Sequence, residues 1–423
     1  MPKRLFKFFQ PFYHGALAVL ASYYYGRPGF KMQVVGVTGT AGKSSTVRML
    51  AHILNIEHKK CGFITTVSFH DGNLESLNQH GLSMPGGPLL QKQLSLMLKN
   101  GCKFAIVECT SEGLAQNRHL GIGFGTAVFT NLHSAHTEAH GGFENYKKAK
   151  GKLFETLSSK TGATVVNLDD SHADYFLNFP AKNKIGITQD PAKKFYQQVK
   201  VMLLTDIESG ENLGFALEHA AFVLPLTGEF NAYNAGLAAA AAEHLGVNLH
   251  ASAQALKNFS GSAGRMEEIK AGQNFRVFVD YAPEPAGMEA ALKAVANLPH
   301  NRIIHVFGST GGHRDIKKRF EFGTISARFA DEIFITNDDV YDSDPAKIAG
   351  DVETGILQAG AGKKHQTILD RKTAIAAALG DAKAGDIVII TGKGSEQFLV
   401  LPGNKRIFWD EREVVKKALS QLK

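Results

Sequence analysis

The sequence is poor in cysteine. Cys61, Cys102 and Cys109 are the only three in 423 residues, and none forms a CxxC pair. An odd, scattered set argues against a zinc ribbon or a disulfide framework and fits a reducing cytoplasm. There is also no dense Lys/Arg block with interleaved aromatics. For a chain of net charge +7 and pI near 9.0, that makes nucleic acid a weaker partner class than anionic small molecules or a membrane surface. Long apolar runs are missing too. The stretch from Gly15 to Tyr25 falls short of the roughly 20 helical residues that cross a bilayer. No internal repeat or low-complexity tract is present. What remains, 44% hydrophobic and 21% charged residues, is a globular composition, in a chain long enough for two or three domains.

The stretch that organises the chain runs from Val34 to Thr46, VVGVTGTAGKSST. It reads as a buried strand, a glycine-rich turn and the start of a helix. Glycines let backbone N–H groups turn inward around phosphate oxygens, and a helix start adds its unsatisfied N–H groups and positive end. Gly39, Thr40, Ala41, Gly42, Lys43, Ser44 and Ser45 are therefore the expected nucleotide cradle. Lys43 serves the outer phosphates and Ser44 places a hydroxyl on Mg²⁺. The strict Walker spacing is missed by one, since five residues separate Gly36 from Gly42.

Before this loop, residues 1–30 open basic, with Lys3, Arg4 and Lys7 among aromatics, and then turn apolar. Cleavage as a signal peptide near Ala21 would carry the nucleotide site away from its ATP. Two placements stay open: a helix packed on the body or in an oligomer contact, which is preferred, or a helix in a membrane interface.

From Lys31 onward apolar strands alternate with helices, which predicts a doubly wound α/β domain over 31–261. Strands are read at Gln33–Val37, Phe104–Val107, Ala127–Thr130, Ala163–Asn167 and Lys184–Thr188. Helices are read at Ser44–Leu54, Leu89–Asn100 and Asn145–Leu157. Residues 200–226 read as hairpins, and alanine-rich helices follow. The small residues Ser260–Gly264 mark a hinge, and a second, Rossmann-like alternation fills 262–423.

Glu108 ends the strand Phe104–Val107, where open parallel sheets bind ligands, and is a candidate Mg²⁺ ligand. His133, His136 and His140 follow the next strand end, and His136 is a candidate second ligand. Spacing alone does not choose among Lys147, Lys148 and Lys150 beyond it.

These motifs, in order, resemble the ATP-dependent Mur ligases, and within them the UDP-N-acetylmuramoyl-tripeptide synthetase branch, over residues 34 to about 415. GVTGTAGKSS is similar to the family's phosphate loop, including its departure from the strict spacing. VECTSEGLAQNRH resembles the segment with the Mg²⁺-binding Glu108 and implies muropeptide contacts at Thr110, Gln116 and Arg118. FTNLHSAHTEAHGGFENYKKAK resembles the segment with a Mg²⁺-binding His, here His136. Fourteen residues on, it implies a lysine carbamylated by CO₂, here Lys150. A carbamate turns an ammonium that repels Mg²⁺ into an oxygen ligand. GEFNAYNA places Asn234 on the adenine side, GRMEEI places Arg265 on phosphate, and Asp280 in DYAPEP falls on the ribose contact. GSTGGHRD, TNDDVYDSDP and TGKGSE resemble amino-acid-binding loops. By position Arg314 holds the incoming carboxylate, while Asp339 and Glu396 face its amine end or side chain.

The departures from the family pattern are specific. The uridine-gripping first domain is expected to be missing, with residues 1–30 in its place. Asp338-Asp339-Val340-Tyr341 stands where a DNPR-type motif reads the distal carboxylate of diaminopimelate. Lacking that Arg disfavours diaminopimelate, because a buried carboxylate without its charged partner is costly. Pro283, Ser395 and Glu112 stand where histidines are usual. The reaction the resemblance implies is ligation of an amino acid to a muropeptide-type carboxylate through an acyl phosphate, with ATP, two Mg²⁺ ions and a lysine carbamate. The catalytic set is Lys43, Glu108, His136 and Lys150. Rival expectations are a lipid-linked or other glutamyl acceptor, a non-catalytic nucleotide-binding regulator of wall enzymes, and, more weakly, a P-loop kinase.

Overall fold

The computed structural model describes residues 3–78, 84–133, 140–312, 316–360 and 364–422. The chain divides into two compact units. The first holds Met1–Glu208, Asn212–Pro225 and Glu229–Ser260. The second holds Ser209–Glu211, Leu226–Gly228 and Gly261–Lys423.

The first unit opens on helix α1 (Lys3–Tyr24) and is built on an 11-stranded sheet. Its strands in chain order are β1 (Gln33–Thr38), β2 (Cys61–Ile64), β3 (Ser68–His70), β4 (Glu75–Leu77), β5 (Phe104–Glu108), β6 (Phe124–Phe129), β7 (Ala163–Asn167), β8 (Asn183–Thr188), β9 (Lys200–Ser209), β10 (Leu213–Leu217) and β11 (Ala220–Leu224). Across the sheet the order is β11-β10-β9-β8-β7-β6-β1-β5-β2-β3-β4. The middle strands pair in parallel and are apolar on both faces, as helix-covered strands must be. β1 lies between β5 and β6, so the connection from β5 to β6 passes over it. That is a topological switch point, where loops at strand C-termini part and leave a crevice.

Helices α2 (Lys43–Ile56), α3 (Gly87–Lys99), α4 (Ser111–Ala115), α5 (Phe143–Glu155), α6 (Ala173–Leu177), α7 (Phe230–His244) and α8 (Leu249–Leu256) complete this unit. The expected elements all form, with ends moved by at most three residues and Ala163–Asn167 unmoved. In α7 the small side chains from Ala235 to Ala242 are buried on all sides, which lets neighbouring backbone approach closely.

The second unit has a 6-stranded sheet in the order β12-β13-β17-β14-β15-β16. Its strands are β12 (Glu267–Glu268), β13 (Arg276–Asp280), β14 (Ile303–Phe307), β15 (Glu332–Ile335), β16 (Lys364–Thr367) and β17 (Ile387–Thr391). β13 to β17 are parallel, and β12 is an antiparallel edge. Helices α9 (Pro285–Ala296), α10 (Lys317–Phe329), α11 (Pro345–Gln358), α12 (Arg371–Asp381) and α13 (Glu411–Gln421) flank it. A hairpin the sequence did not announce, β18 (Phe398–Leu401) with β19 (Lys405–Phe408), follows β17.

Candidate nucleotide and amino-acid sites

In the first unit, β1 ends at Thr38 and the chain turns through residues 39–42 into α2. Gly39 has φ +152° and Gly42 has φ +80°, both disfavoured for residues with a Cβ. Space forbids a Cβ as well. At Gly39 it would lie 1.9 Å from Thr130 Oγ1, and at Gly42 2.2 Å from Asn234 Oδ1. The turn is clamped to the end of β6. Thr40 N donates to Asn131 O at 2.8 Å, Ala41 N donates to Asn131 Oδ1 at 2.9 Å, and Thr130 Oγ1 donates to Ala41 O at 2.6 Å. Lys43 starts α2 and its Nζ donates to Thr40 O at 2.9 Å. Ser45 follows on the first turn of α2, half-buried.

Ser44 is buried and its Oγ donates to Glu108 Oε2 at 2.7 Å. Glu108 ends β5, one strand over, so parallel pairing with β1 brings the two together. Thr66, just past β2, donates to the same carboxylate from N (2.8 Å to Oε2) and Oγ1 (2.8 Å to Oε1). A hydroxyl and a buried carboxylate beside a glycine turn are hard oxygen donors of the kind Mg²⁺ takes, so these residues fit that ion. Among the described residues no group of three His, Cys, Asp or Glu gathers as a metal site.

Lys150, on α5, is 1% exposed. Its Nζ donates to Gly39 O at 2.6 Å and lies 4.5 Å from the centre of the Tyr146 ring. Burial, and then the nearby positive charge of Lys43, hold its pKa well below the lysine range. Lys147 instead pairs with Glu144 near the surface, which separates two lysines the spacing could not. His136 lies outside the described residues. Asn234, on α7, is buried behind the loop. Its Oδ1 is 3.5 Å from Thr46 Oγ1, and its Nδ2 donates to Asn231 Oδ1 at 3.1 Å.

Thr110 caps α4, accepting from Gly113 N at 3.3 Å. Beyond α4, Arg118 donates to Gln116 Oε1 through Nε (2.9 Å) and Nη2 (2.6 Å), and to Met84 O through Nη1 (2.6 Å). The structure thus brings Gln116 and Arg118 together, both buried.

In the second unit, Asp280 ends β13 and accepts from Met266 N at 2.7 Å. Burial raises its carboxyl pKa and the Arg265 charge opposes that rise. The Arg265 guanidinium sits 4.2 Å from the centre of the Tyr281 ring. Asp339 and Glu396 are brought together by a residue the sequence reading did not single out. Lys393 Nζ donates to Asp339 Oδ1 at 3.0 Å and Glu396 Oε2 at 2.5 Å, with Asp338 Oδ1 at 4.0 Å. Despite its burial, these carboxylates raise the pKa of Lys393 above the lysine range. Beneath them lies the fully buried ion pair of Arg371 and Glu411, with Nε to Oε2 at 3.0 Å. Arg314 lies outside the described residues.

The chain is similar to known proteins over most of its length. The family models for the "Mur ligase middle domain" and the "Mur ligase, glutamate ligase domain" match residues 37–242 and 264–394. The chain is 35% identical over 414 residues to a UDP-N-acetylmuramoyl-L-alanyl-D-glutamate–2,6-diaminopimelate ligase of Geobacillus kaustophilus, covering 96% of this chain and 82% of the relative. It is 36% identical over 422 residues to a UDP-N-acetylmuramyl-tripeptide synthetase of Roseiflexus, with the same coverage. A solved structure of a UDP-N-acetylmuramoyl-L-alanyl-D-glutamate–2,6-diaminopimelate ligase superposes with a TM-score of 0.61 at 30% identity, over 92% of this chain and 78% of that one. The phosphate loop on its switch point, the Ser44–Glu108 pair and these matches lead to one assignment: the chain belongs to the Mur ligase family, ATP- and Mg²⁺-dependent enzymes that form amide bonds.

Proposed function

We propose that this ligase adds an amino acid to the free carboxylate of a UDP-linked muramoyl peptide, in the synthesis of the peptidoglycan precursor. The observation that carries the reading is the Ser44–Glu108 hydrogen bond beside the glycine turn, supported by relatives that bear those substrate names over most of their length. In this reading residues 31–261 bind ATP and the acceptor, and residues 262–423 bind the amino acid.

The acceptor carboxylate attacks the γ-phosphate, ADP leaves, and an acyl phosphate forms. The amine then attacks that carbonyl and phosphate leaves. Little covalent chemistry falls to the protein, whose work is alignment and charge neutralisation. Gly39 to Ser45 direct backbone N–H groups at the phosphates, and Lys43 offsets their charge. Asn234 backs the loop on the nucleotide side, and Arg265 and Asp280 serve phosphate and ribose. Ser44 and Glu108 would hold one Mg²⁺, and His136 and Lys150, as its carbamate, would hold a second. When bound, the ions neutralise phosphate charge as it builds. The unprotonated amine is the form that reacts with CO₂, and the lowered pKa of buried Lys150 increases its share, which favours Lys150 for that role. Thr110, Gln116 and Arg118 contact the acceptor, and Arg314 holds the amino acid's carboxylate.

For the amino acid we infer a cationic side chain, lysine or ornithine, rather than diaminopimelate. Tyr341 stands where a guanidinium would meet the distal carboxylate, and Asp338, Asp339 and Glu396 outnumber the one ammonium of Lys393. Residues 1–30 form a contact surface toward a membrane or another chain.

The test is phosphate release by the purified protein over a panel of muropeptide acceptors and amino acids, with mass spectrometry of the product. Release that needs both substrates, with lysine or ornithine fastest, is expected. Release independent of any amino acid rejects ligation, and diaminopimelate fastest rejects the side-chain assignment.

A further inference from the structure

An ordinary surface helix turns its large apolar residues inward and its charges outward. In helix α1 large apolar and aromatic residues point outward instead. Its inner face is small: Gly15, Ala18, Ala21 and Ser22 are buried. A Cβ on Gly15 would lie 3.2 Å from Leu120 Cδ1, and one on Gly87 of α3 would lie 2.5 Å from Ala18 Cα. Ser22 Oγ donates to Gly121 O at 2.7 Å, and Asn117 Nδ2 donates to Pro11 O at 3.4 Å. These close approaches fix which face points out. On that face Tyr13, Leu20, Tyr23 and Tyr24 are 62%, 66%, 66% and 84% exposed. Their spacings of seven (Tyr13 to Leu20), three (Leu20 to Tyr23) and four (Leu20 to Tyr24) residues make them one stripe. Phe30, just beyond, is 53% exposed.

Along residues 1–56 the charge has one sign. The first acidic residue of the chain is Glu57, whereas Lys3, Arg4 and Lys7 open α1, and Arg27 and Lys31 follow its end. The Arg27 guanidinium lies 4.1 Å from the Phe30 ring centre and 5.5 Å from that of Tyr23, so cation and aromatics share one surface. No described helix is long and apolar enough to cross a membrane. A helix with aromatics out and cations at both ends suits the plane of a lipid interface, where tyrosine sits at headgroup depth and lysine and arginine meet lipid phosphate. A second copy fits less well. A two-fold contact through the stripe sets the same basic residues against each other, with no carboxylate from residues 1–56 to pair with them.

We propose that α1 docks the enzyme flat on a bilayer rich in anionic phospholipid, through the stripe from Tyr13 to Tyr24 and the flanking Arg27 and Lys31. This rests on the reading of residues 1–30 as a contact surface and not on the ligation reaction, so ligase activity on soluble substrates is measured alongside and separates the two.

The experiment is co-sedimentation of the 423-residue chain with vesicles of phosphatidylglycerol and phosphatidylcholine, and with phosphatidylcholine alone, at low and high salt. The expected result is binding to the anionic vesicles, weakened by salt. The paired variants Leu20→Glu with Tyr24→Glu, and Arg27→Glu with Lys31→Glu, each reduce it by about tenfold or more. The milder Tyr23→Ser with Tyr24→Ser reduces it less, and all keep phosphate release and the parental circular dichroism spectrum. Protein left in the supernatant with anionic vesicles overturns the proposal. Equal binding to phosphatidylcholine alone also overturns it. So does a concentration-dependent dimer in light scattering that is lost in Leu20→Glu with Tyr24→Glu and occurs without vesicle binding.

Discussion

Lys150 and Lys393 are both 1% exposed, one in each unit, and their surroundings drive them in opposite directions. Lys150 has a carbonyl and an aromatic ring as its contacts and the charge of Lys43 nearby, so burial depresses its pKa. Lys393 is held by Asp339 and Glu396 with Asp338 close, so burial is outweighed and its pKa rises. One is a candidate reactive amine, the other a fixed cation that ties the loop after β15 to the loop after β17. Burial alone therefore says nothing about what a lysine does; the count of carboxylates around it decides.

The comparison breaks first at activity. Lys150→Ala is expected to lower amino-acid-dependent phosphate release by about 10²–10³-fold, the cost of losing one group that stabilises transferring charge. Full activity in that variant would remove the carbamate from the reaction. Incubation with isotopically labelled bicarbonate should place label on Lys150 and none on Lys393.

Stability should split the pair in the opposite sense. Lys393→Met leaves Asp339 and Glu396 facing each other in a half-buried site and should cost about 3 kcal/mol in urea unfolding. Lys150→Met in chelator-treated protein removes a disfavoured ammonium and should cost nothing or stabilise.

The pH dependence follows from the sign of the shift. Lys150 binds its proton less tightly folded than unfolded. Its cost is absent above the ordinary lysine value of 10.5, grows as pH falls below that, and is complete below the lowered value. The advantage of Lys150→Met over the parent should therefore shrink as pH is raised toward 10.5. An advantage that stays constant across that range would mean Lys150 is not depressed. The smallest effect is expected of Thr66→Val. It removes one hydrogen bond to a buried carboxylate, costs about 1.5 kcal/mol, and lowers Mg²⁺ affinity measured by calorimetry by less than tenfold.

Local features were legible in the sequence. The run from Gln33 to Thr46 sets strand, turn and helix by itself, and Glu108 needed only the rule about strand ends. The resemblance picked Lys150 out of its cluster, and the structure shows what distinguishes it, since Lys147 is spent on Glu144. What the sequence did not yield depends on partners far apart in the chain. Thr66 reaches Glu108 across 42 residues, and Lys393 reaches Asp339 across 54. No periodicity encodes such pairs. For α1 the helix was legible but its outward face was not, because the residues that settle it are Leu120, Asn117 and Gly87.

Ser44 Oγ, Thr66 N and Thr66 Oγ1 together engage both oxygens of the Glu108 carboxylate. These donors come from the start of α2 and from just past β2, and they converge on the last residue of β5. One acid therefore stitches a helix start to the ends of two strands beside the glycine turn. A change at Glu108 should loosen the footing of that turn as well as alter whatever the carboxylate does chemically.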